Sequence, residues 1–346
     1  MARHTMRRRE RPPPAAFHAS APMRLDFAGG WTDVPPFSAR EGGIVVNGSI
    51  ELRAQVQLEL GGQLLRLVSE ELGETLECAN SGGLTPGGTL PLLTAALRMF
   101  PVLGGFTLTT RCDAPSGAGL GSSGALGVAL VGVLTRARQE RLSDAESADQ
   151  AWQVEAVEAR LPGGKQDQYA AALGGFHRLS FRDPDVGIEP LTLDPAFATA
   201  LERQLLLCYT NKSRVSGDTI SRVMNAYERG DRTVTGALRA MKDVAEAMVE
   251  ALRVADLARV GTLLSENWKH QQALDAGMRT TEMAQLERAV AAAGGRALGG
   301  KAAGAGAGGS MFFLMKGDAR AAAPAVAKAG ARVLPFSWAV EGLKTW

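Results

Sequence analysis

Between Phe106 and Leu134 the sequence passes from strand to helix through glycine, and that passage limits what the chain can become. Phe106, Leu108, Thr110 and Cys112 alternate with their neighbours as one face of a strand. Pro115-Ser116-Gly117-Ala118-Gly119-Leu120-Gly121-Ser122-Ser123-Gly124 follows, and Ala125 to Leu134 is then apolar almost throughout, without proline. A period of two marks a strand, and a helix apolar on all sides is buried. The chain therefore holds a buried helix whose N-terminus opens on a glycine-rich loop. Unpaired N–H groups and the positive end of the helix dipole suit that loop to phosphate, and its glycines let a ligand approach the main chain. Ser122 and Ser123 add hydroxyls able to reach phosphate oxygen or Mg2+.

The loop is not a Walker A loop, which needs a lysine where none stands. Gly119-Leu120-Gly121-Ser122-Ser123-Gly124 satisfies the GxGxxG string of dinucleotide folds. The strand before it, however, alternates as antiparallel strands do and lacks the continuous apolar run of a buried parallel strand.

Ile50 to Leu60 alternates without exception, and Gly61-Gly62 with Leu64 to Val68 reads as the turn and second arm of a hairpin. Ser143 with Glu146 has the form of a capping box, opening a helix that runs to Leu161 before Pro162-Gly163-Gly164 stops it. Asp183-Pro184-Asp185 is a turn, Leu205 to Tyr209 a buried strand, and Asp218 to Ala293 a helical stretch in which Met283, Leu286 and Val290 share a face. Met311 to Met315 reads as a strand, Ala319 to Lys328 as a helix and Arg332 to Phe336 as a strand. Gly299 to Gly309 is glycine and alanine with little else, and its place directly before an apolar strand predicts a structured loop and not a linker. A chain of 346 residues exceeds the usual span of one core. The expectation is an α+β fold in two domains, 18–195 and 196–346. Residues 1–17 are expected as a disordered basic tail, since five arginines and three consecutive prolines offer nothing to pack.

A formal charge of +2 gives no electrostatic case for nucleic acid, so a small molecule is the expected partner, bound by a monomer or homodimer. Cys78, Cys112 and Cys208 form no CxxC pair and are expected as reduced, buried thiols. His4, His18, His177 and His270 show no metal-ligand spacing. With no apolar run near the length of a membrane helix, the chain is placed in the cytoplasm.

The loop at 115–124 resembles the ATP-binding loop of the GHMP kinases, the group of galactokinase, homoserine kinase, mevalonate kinase and phosphomevalonate kinase. Two further segments agree in order. Pro22-Met23-Arg24-Leu25-Asp26-Phe27-Ala28-Gly29-Gly30-Trp31-Thr32-Asp33 is similar to the family's substrate motif, and Gly304-Ala305-Gly306-Ala307-Gly308-Gly309-Ser310 to its C-terminal glycine motif. The resemblance implies a mixed sheet with helices like the second domain of ribosomal protein S5, followed by a ferredoxin-like α+β domain. It also implies ATP and Mg2+.

Gly164-Lys165-Gln166-Asp167-Gln168-Tyr169-Ala170-Ala171 is similar to the segment carrying the catalytic aspartate of the sugar kinases. Its letters resemble the D-glycero-D-manno-heptose 7-phosphate kinases of that family, as do Asn267-Trp268-Lys269-His270. Trp31 stands where that subgroup usually has glycine, and Gly-Gly-Trp-Thr-Asp looks more like L-fucokinase. By position alone, Asp167 could equally be a cap or turn aspartate; by resemblance it accepts the proton of the attacking hydroxyl, with Arg24 paired to it and offsetting charge on the transferring group.

The implied ATP-binding residues are Pro115, Gly117, Gly119, Leu120, Gly121, Ser122, Ser123 and Gly124. Ser123 and Glu155 are the implied Mg2+ ligands, with Glu158 in reserve and a surface salt bridge as the plain alternative for Glu155. Gly30, Trp31, Thr32, Asp33, Lys165, Gly306 and Arg214 are the expected substrate contacts. Lys165, Lys212 and Arg214 are the cations available to a distal phosphate. The expected reaction is phosphoryl transfer from ATP to a sugar, at the anomeric hydroxyl of the heptose 7-phosphate. L-Fucose or galactose is the alternative acceptor, and a ligand sensor without turnover is the alternative outside enzymes.

Overall fold

The computed structural model describes residues 16–85, 88–213, 217–293 and 297–346. Its first half runs β1 (Ala16–Ala28), α1 (Phe37–Glu41), β2 (Gly43–Leu60), β3 (Leu65–Ser69), β4 (Glu74–Cys78), α2 (Pro91–Met99), β5 (Phe106–Cys112), α3 (Ser122–Ala137), α4 (Asp144–Trp152), α5 (Gln166–Leu173), β6 (Phe176–Arg182) and β7 (Asp185–Pro190). The second runs α6 (Pro195–Gln204), β8 (Leu205–Tyr209), α7 (Gly217–Glu228), α8 (Arg232–Arg253), α9 (Leu257–Gln272), α10 (Thr281–Ala292), β9 (Ala297–Ala302), β10 (Ser310–Met315), α11 (Ala323–Lys328), β11 (Arg332–Val333) and β12 (Lys344–Thr345).

An eight-stranded sheet carries the first half, in the order β12-β1-β2-β5-β3-β4, with β6 and then β7 beside the other end of β2. β2 is long enough to serve two neighbours: Ala54–Leu60 pair with β5 and Gly43–Gly48 with β6. Its register with β1 slips between Pro22 and Met23, where proline has no N–H to give. The freed backbone takes up the C-terminal segment, as Glu51 donates to Ser337 O (2.8 Å) and Ala339 to Ser49 O (2.9 Å). Just past the slip, Arg24 N–H donates to Leu120 O (3.0 Å), which fixes the glycine loop against β1. β1 begins at Ala16, so Ala16 and Phe17 pair with Glu59 and Leu58 instead of belonging to the tail. The rest of that tail lies outside the described residues, as does Arg214.

The hairpin expected of β2 and β3 does not form. Gly61 and Gly62 have the positive φ a turn needs, but Gly61 N–H donates to Gly105 O, and β5 lies between the two strands, antiparallel to β2 and parallel to β3. The central place buries Phe106 and Leu108, with Leu65 and Leu67 of β3 buried beside them. The capping box at Ser143 and Glu146 is present, but α4 stops at Trp152 and Gln153–Glu158 winds as a π-helix.

The second sheet has the order β11-β8-β10-β9 with every pair antiparallel, the fourth-first-third-second order of a ferredoxin-like domain. β9 was not expected, because glycine and alanine hide its pattern. They stand there because α9 packs tightly: a Cβ on Gly299 would overlap Gly261 O, and one on Gly261 would meet Leu298 Cβ at 2.5 Å. The helix expected over 319–328 is a 3-10 turn (Ala319–Ala322) followed by α11, with proline in the first turn of α11. The last expected strand shortens to Arg332–Val333, after which the chain crosses to the first sheet and ends on β1 as β12.

β10 is buried on both faces, Phe312 and Leu314 in a core with the first sheet and Met311, Phe313 and Met315 in a second core. Trp31, Val34 and Phe37, from the segment after β1, complete that second core. The loop following β1 is thereby held at the junction of the two sheets, which is where the site lies.

Candidate active site

The loop between β5 and α3 is shaped by three alternate glycines in the left-handed region, Gly117, Gly119 and Gly121, with φ of 72°, 75° and 77°. Ala118 and Leu120 between them are fully buried and anchor it. Gly121 caps α3, and Ser122 and Ser123 form the first turn of that helix. Gly124 faces Asp167, whose Cβ a side chain there would meet at 2.5 Å.

Asp167 sits in the first turn of α5, pressed against the start of α3. Arg24 Nε donates to its Oδ1 at 2.8 Å and Nη2 lies at the same distance in an ion pair, while Arg24 Nη1 donates to Gly119 O and Ala303 O, both at 3.0 Å. One buried guanidinium thus ties the carboxylate to both glycine segments. Asp167 keeps 26% of its side-chain surface open. Ser310 N–H donates to Ala118 O (2.7 Å), a second tie between the segments.

A cleft of about 540 Å³ opens over this pair. Gly117, Gly119, Gly121, Ser122 and Ser123 line it, with Gly30, Trp31, Asp33, Glu155 and Asp167. Pro115, Leu120 and Gly124 do not reach it; Leu120 and Gly124 shape the loop from behind. Asp33 is buried and accepts from Gln166 N–H at 3.0 Å. Burial pushes its carboxyl up to about 7, the Gln166 bond pulls it back, and the charges of Asp167 and Asp26 push it further up. Gly164 makes room for it, since a Cβ there would overlap Asp33 Oδ2. Glu155 projects from the π-helical turn and accepts from Gln168 Nε2 (2.6 Å). Burial raises it also to about 7, with the Ser123 hydroxyl close enough to lower it. Glu158, the reserve ligand, is bound to Arg98 and does not line the cleft.

Three expected contacts stand elsewhere. Thr32 is buried with its hydroxyl donating to Gly29 O (2.7 Å) and accepting from Ile44 N–H (3.0 Å), so it braces the turn. Lys165 stacks over Trp152 and lies 3.3 Å from Asp183 Oδ1 and from Pro184 O; those groups draw it away from the cleft. Gly306 packs on Met278, and Gly304 and Ala305 line the cleft instead. Trp31 does line the cleft, but it is 4% exposed and most of its ring is in the second core. Its φ of 82° is the left-handed value at which glycine is easiest. Lys212, exposed, pairs with Glu282. Of the cysteines, Cys208 is buried while Cys78 and Cys112 are half-buried.

By sequence alone Gln166 and Gln168 have no role, Asp26 reads as a strand-edge residue, and Lys301 is only a lysine that could enter the glycine loop and assist phosphate. Lys301 is fully buried and donates to Asp26 O (2.7 Å) and Asp26 Oδ2 (2.8 Å), joining β9 to β1 beneath the cleft. Its signal was present as the single charge in an otherwise glycine–alanine tract.

Comparison with known proteins gives the family. The family model of the GHMP kinases N terminal domain matches residues 91–175, and that of the GHMP kinases C terminal matches residues 248–332. A D-glycero-alpha-D-manno-heptose 7-phosphate kinase of Campylobacter jejuni is 30% identical over 94% of this chain and 97% of its own length. The chain belongs to the GHMP kinases. A bifunctional fucokinase/GDP-fucose pyrophosphorylase of Arabidopsis thaliana is 27% identical over 73% of this chain and 26% of its own length. Among solved structures, a D-glycero-D-manno-heptose 1-phosphate kinase from Bacteroides thetaiotaomicron superposes with a TM-score of 0.77 at 25% identity, covering 95% of this chain and 98% of the other. This GHMP kinase is an ATP-dependent phosphotransferase acting on a hydroxyl group. Among the described residues, no helix is long and apolar enough to cross a membrane.

Proposed function

We propose that the kinase phosphorylates the anomeric hydroxyl of D-glycero-D-manno-heptose 7-phosphate in the cytoplasm, where ATP is available. The observation that carries the reading is the Arg24–Asp167 pair, set between the phosphate loop on one side and Asp33 on the other. ATP places its phosphates along Gly117 to Ser123, where backbone N–H groups and the start of α3 meet negative charge. Asp33 accepts from sugar hydroxyls and turns the reacting one toward Asp167. As that oxygen attacks the γ-phosphorus, its proton passes to Asp167, the new O–P bond forms, and the bond to the β-phosphate oxygen breaks to release ADP. Arg24 offsets charge on the transferring group.

Among the described residues, no group of three or more His, Cys, Asp or Glu side chains could cage a metal. Glu155 with the Ser123 hydroxyl nevertheless fits Mg2+, which keeps several waters and takes one or two carboxylates together with substrate phosphates. A buried carboxyl raised to about 7 is one that a cation would relieve. Bound there, Mg2+ would supply charge neutralisation to the β- and γ-phosphates.

A neutral sugar such as L-fucose or galactose is the second reading, and one observation favours it. Arg24 is the only cation lining the cleft among the described residues, against Asp26, Asp33, Glu71, Glu155 and Asp167. Arg214, outside the described residues, is the cation proposed for a distal phosphate. Specificity constants for the heptose 7-phosphate, L-fucose and galactose, with and without Arg214→Ala, decide. The heptose reading expects preference for the phosphorylated sugar and a loss on removing Arg214; preference for a neutral sugar, unaffected by Arg214, would replace the acceptor.

A further inference from the structure

Three consecutive residues at the start of α5 reach three different members of the site. Gln166 donates to Asp33, from its backbone N–H to Oδ2 (3.0 Å) and from Nε2 to Oδ1 (3.4 Å). Asp167 accepts from Arg24 Nε and forms an ion pair with its guanidinium. Gln168 donates from Nε2 to Glu155 Oε2 at 2.6 Å. Successive side chains on a helix point about 100° apart, so a single turn can address three directions. Asp167 is a charge felt by both Asp33 and Glu155, so it lies near each.

The two glutamines are built alike. Both are buried, both line the cleft, and in both the amide nitrogen is spent on a carboxylate while the amide oxygen has no partner among the described residues. Burying an amide with one end unsatisfied is unfavourable and is not what packing alone would select. Each glutamine instead holds a carboxylate, with its amide oxygen left buried and unpaired among the described residues. Asp33 also takes backbone N–H bonds from Gln166 and from its own residue, so Gln166 Nε2 is its one side-chain donor among the described residues, as Gln168 Nε2 is the one amide donor to Glu155.

We propose that Gln166 and Gln168 are positioning residues with separate tasks, Gln166 holding Asp33 for the acceptor and Gln168 holding Glu155 for the metal-bound nucleotide. This rests on the function proposed above. Neither task is chemical: each glutamine acts through the carboxylate it orients, in the way that outer partners orient metal ligands.

The test compares Gln166→Met and Gln168→Met, which keep volume and helix propensity and remove the amide. Steady-state kinetics give the acceptor and ATP constants, and calorimetry gives ATP binding with Mg2+ and with EDTA, a measurement that needs no turnover. Gln168→Met is expected to weaken the Mg2+-dependent part of ATP binding by about tenfold, the lower end for an outer partner of a metal ligand, with the acceptor KM within about twofold of wild type. Gln166→Met is expected to raise the acceptor KM by about fivefold and leave ATP binding, with or without Mg2+, within about twofold. Equal shifts of the same constants in both variants, or no shift in either, would overturn the division of tasks. Should a methionine variant fail to fold by circular dichroism, Gln166→Asn or Gln168→Asn, too short to reach the carboxylate, is expected to give the same pattern. If wild type releases no ADP in response to any sugar, the proposed function falls, while the calorimetry still decides the task of Gln168.

Discussion

Two glycine-rich segments meet at the cleft, and glycine answers a different need in each. In the loop at 117–121 it is required for its dihedrals, since all three glycines lie in the left-handed region while a Cβ on Gly119 would meet nothing nearer than Gly304 N at 3.7 Å. Space is left there, facing the cleft, for a ligand. In the tract at 299–309, where Gly306, Gly308 and Gly309 also hold positive φ, glycine is required above all for its missing side chain: added Cβ atoms would overlap Gly261 O from Gly299, Phe313 from Gly300, Gly119 O from Gly304 and Met278 from Gly306. Space is absent there because protein already fills it. Similar composition therefore marks a binding surface in one place and close packing in the other, and only neighbours distant in sequence tell them apart.

The largest expected effect sharpens the first half of that comparison. Asp167→Asn is expected to lower turnover by about two to four orders of magnitude, the range of acid–base contributions, with ATP affinity within a few-fold and the melting temperature near wild type. Near-normal turnover would remove the chemistry from the carboxylate that the first loop is packed around.

The next largest sets the two segments directly against each other. Gly304→Ala drives a Cβ into Gly119 O and is expected to cost about 1–3 kcal/mol of stability, with ATP binding falling because the phosphate loop is displaced. Gly119→Ala meets no such obstacle and is expected to cost about 1 kcal/mol, the strain of a left-handed alanine, while raising the KM for ATP. Gly306→Val, against Met278 and away from the cleft, is expected to lower the melting temperature and leave both Michaelis constants within about twofold. Denaturant unfolding alongside kinetics checks all three. Kinetic damage from Gly306→Val without loss of stability would break the distinction between the segments.

How much of this was legible follows the same line. β2, α3 and the capping box of α4 announce themselves because their signals are local, in alternation, continuous apolarity and a four-residue motif. The missed strand β9 has its reason in α9, some thirty residues earlier, and the failed hairpin has its reason in β5, which no local turn signal could reveal. Arg24, Asp33, Glu155 and Asp167 were found through motifs and do converge. Lys165 misled because its charge suits a phosphate, while Asp149 and Asp183, which draw it away, lie outside its motif. Gln166 and Gln168 were hidden in plain view, for an amide acquires a role only from the carboxylate the fold brings to it.

The smallest expected effect concerns a glycine of the second kind. Gly164 has no side chain because Asp33 Oδ2 occupies the space, and that same close packing strips water from the carboxylate and raises it from 3.8 to about 7. A carboxyl whose folded value lies above its unfolded value adds stability while it stays protonated. That contribution is fully present below about pH 3.8 and is lost as pH rises through about 7. An asparagine in place of Asp33 would never ionise, and its side-chain oxygen can still accept from Gln166 N–H. Asp33→Asn is therefore expected to gain stability relative to wild type between pH 5 and pH 8, by on the order of 2 kcal/mol, measured on the ligand-free kinase. Glu155 is raised to a similar value but is common to both proteins, so it cancels in the difference. A difference that stays flat across that range would mean that Asp33 is wetter than its burial implies, and that the glycine at 164 admits solvent instead of excluding it.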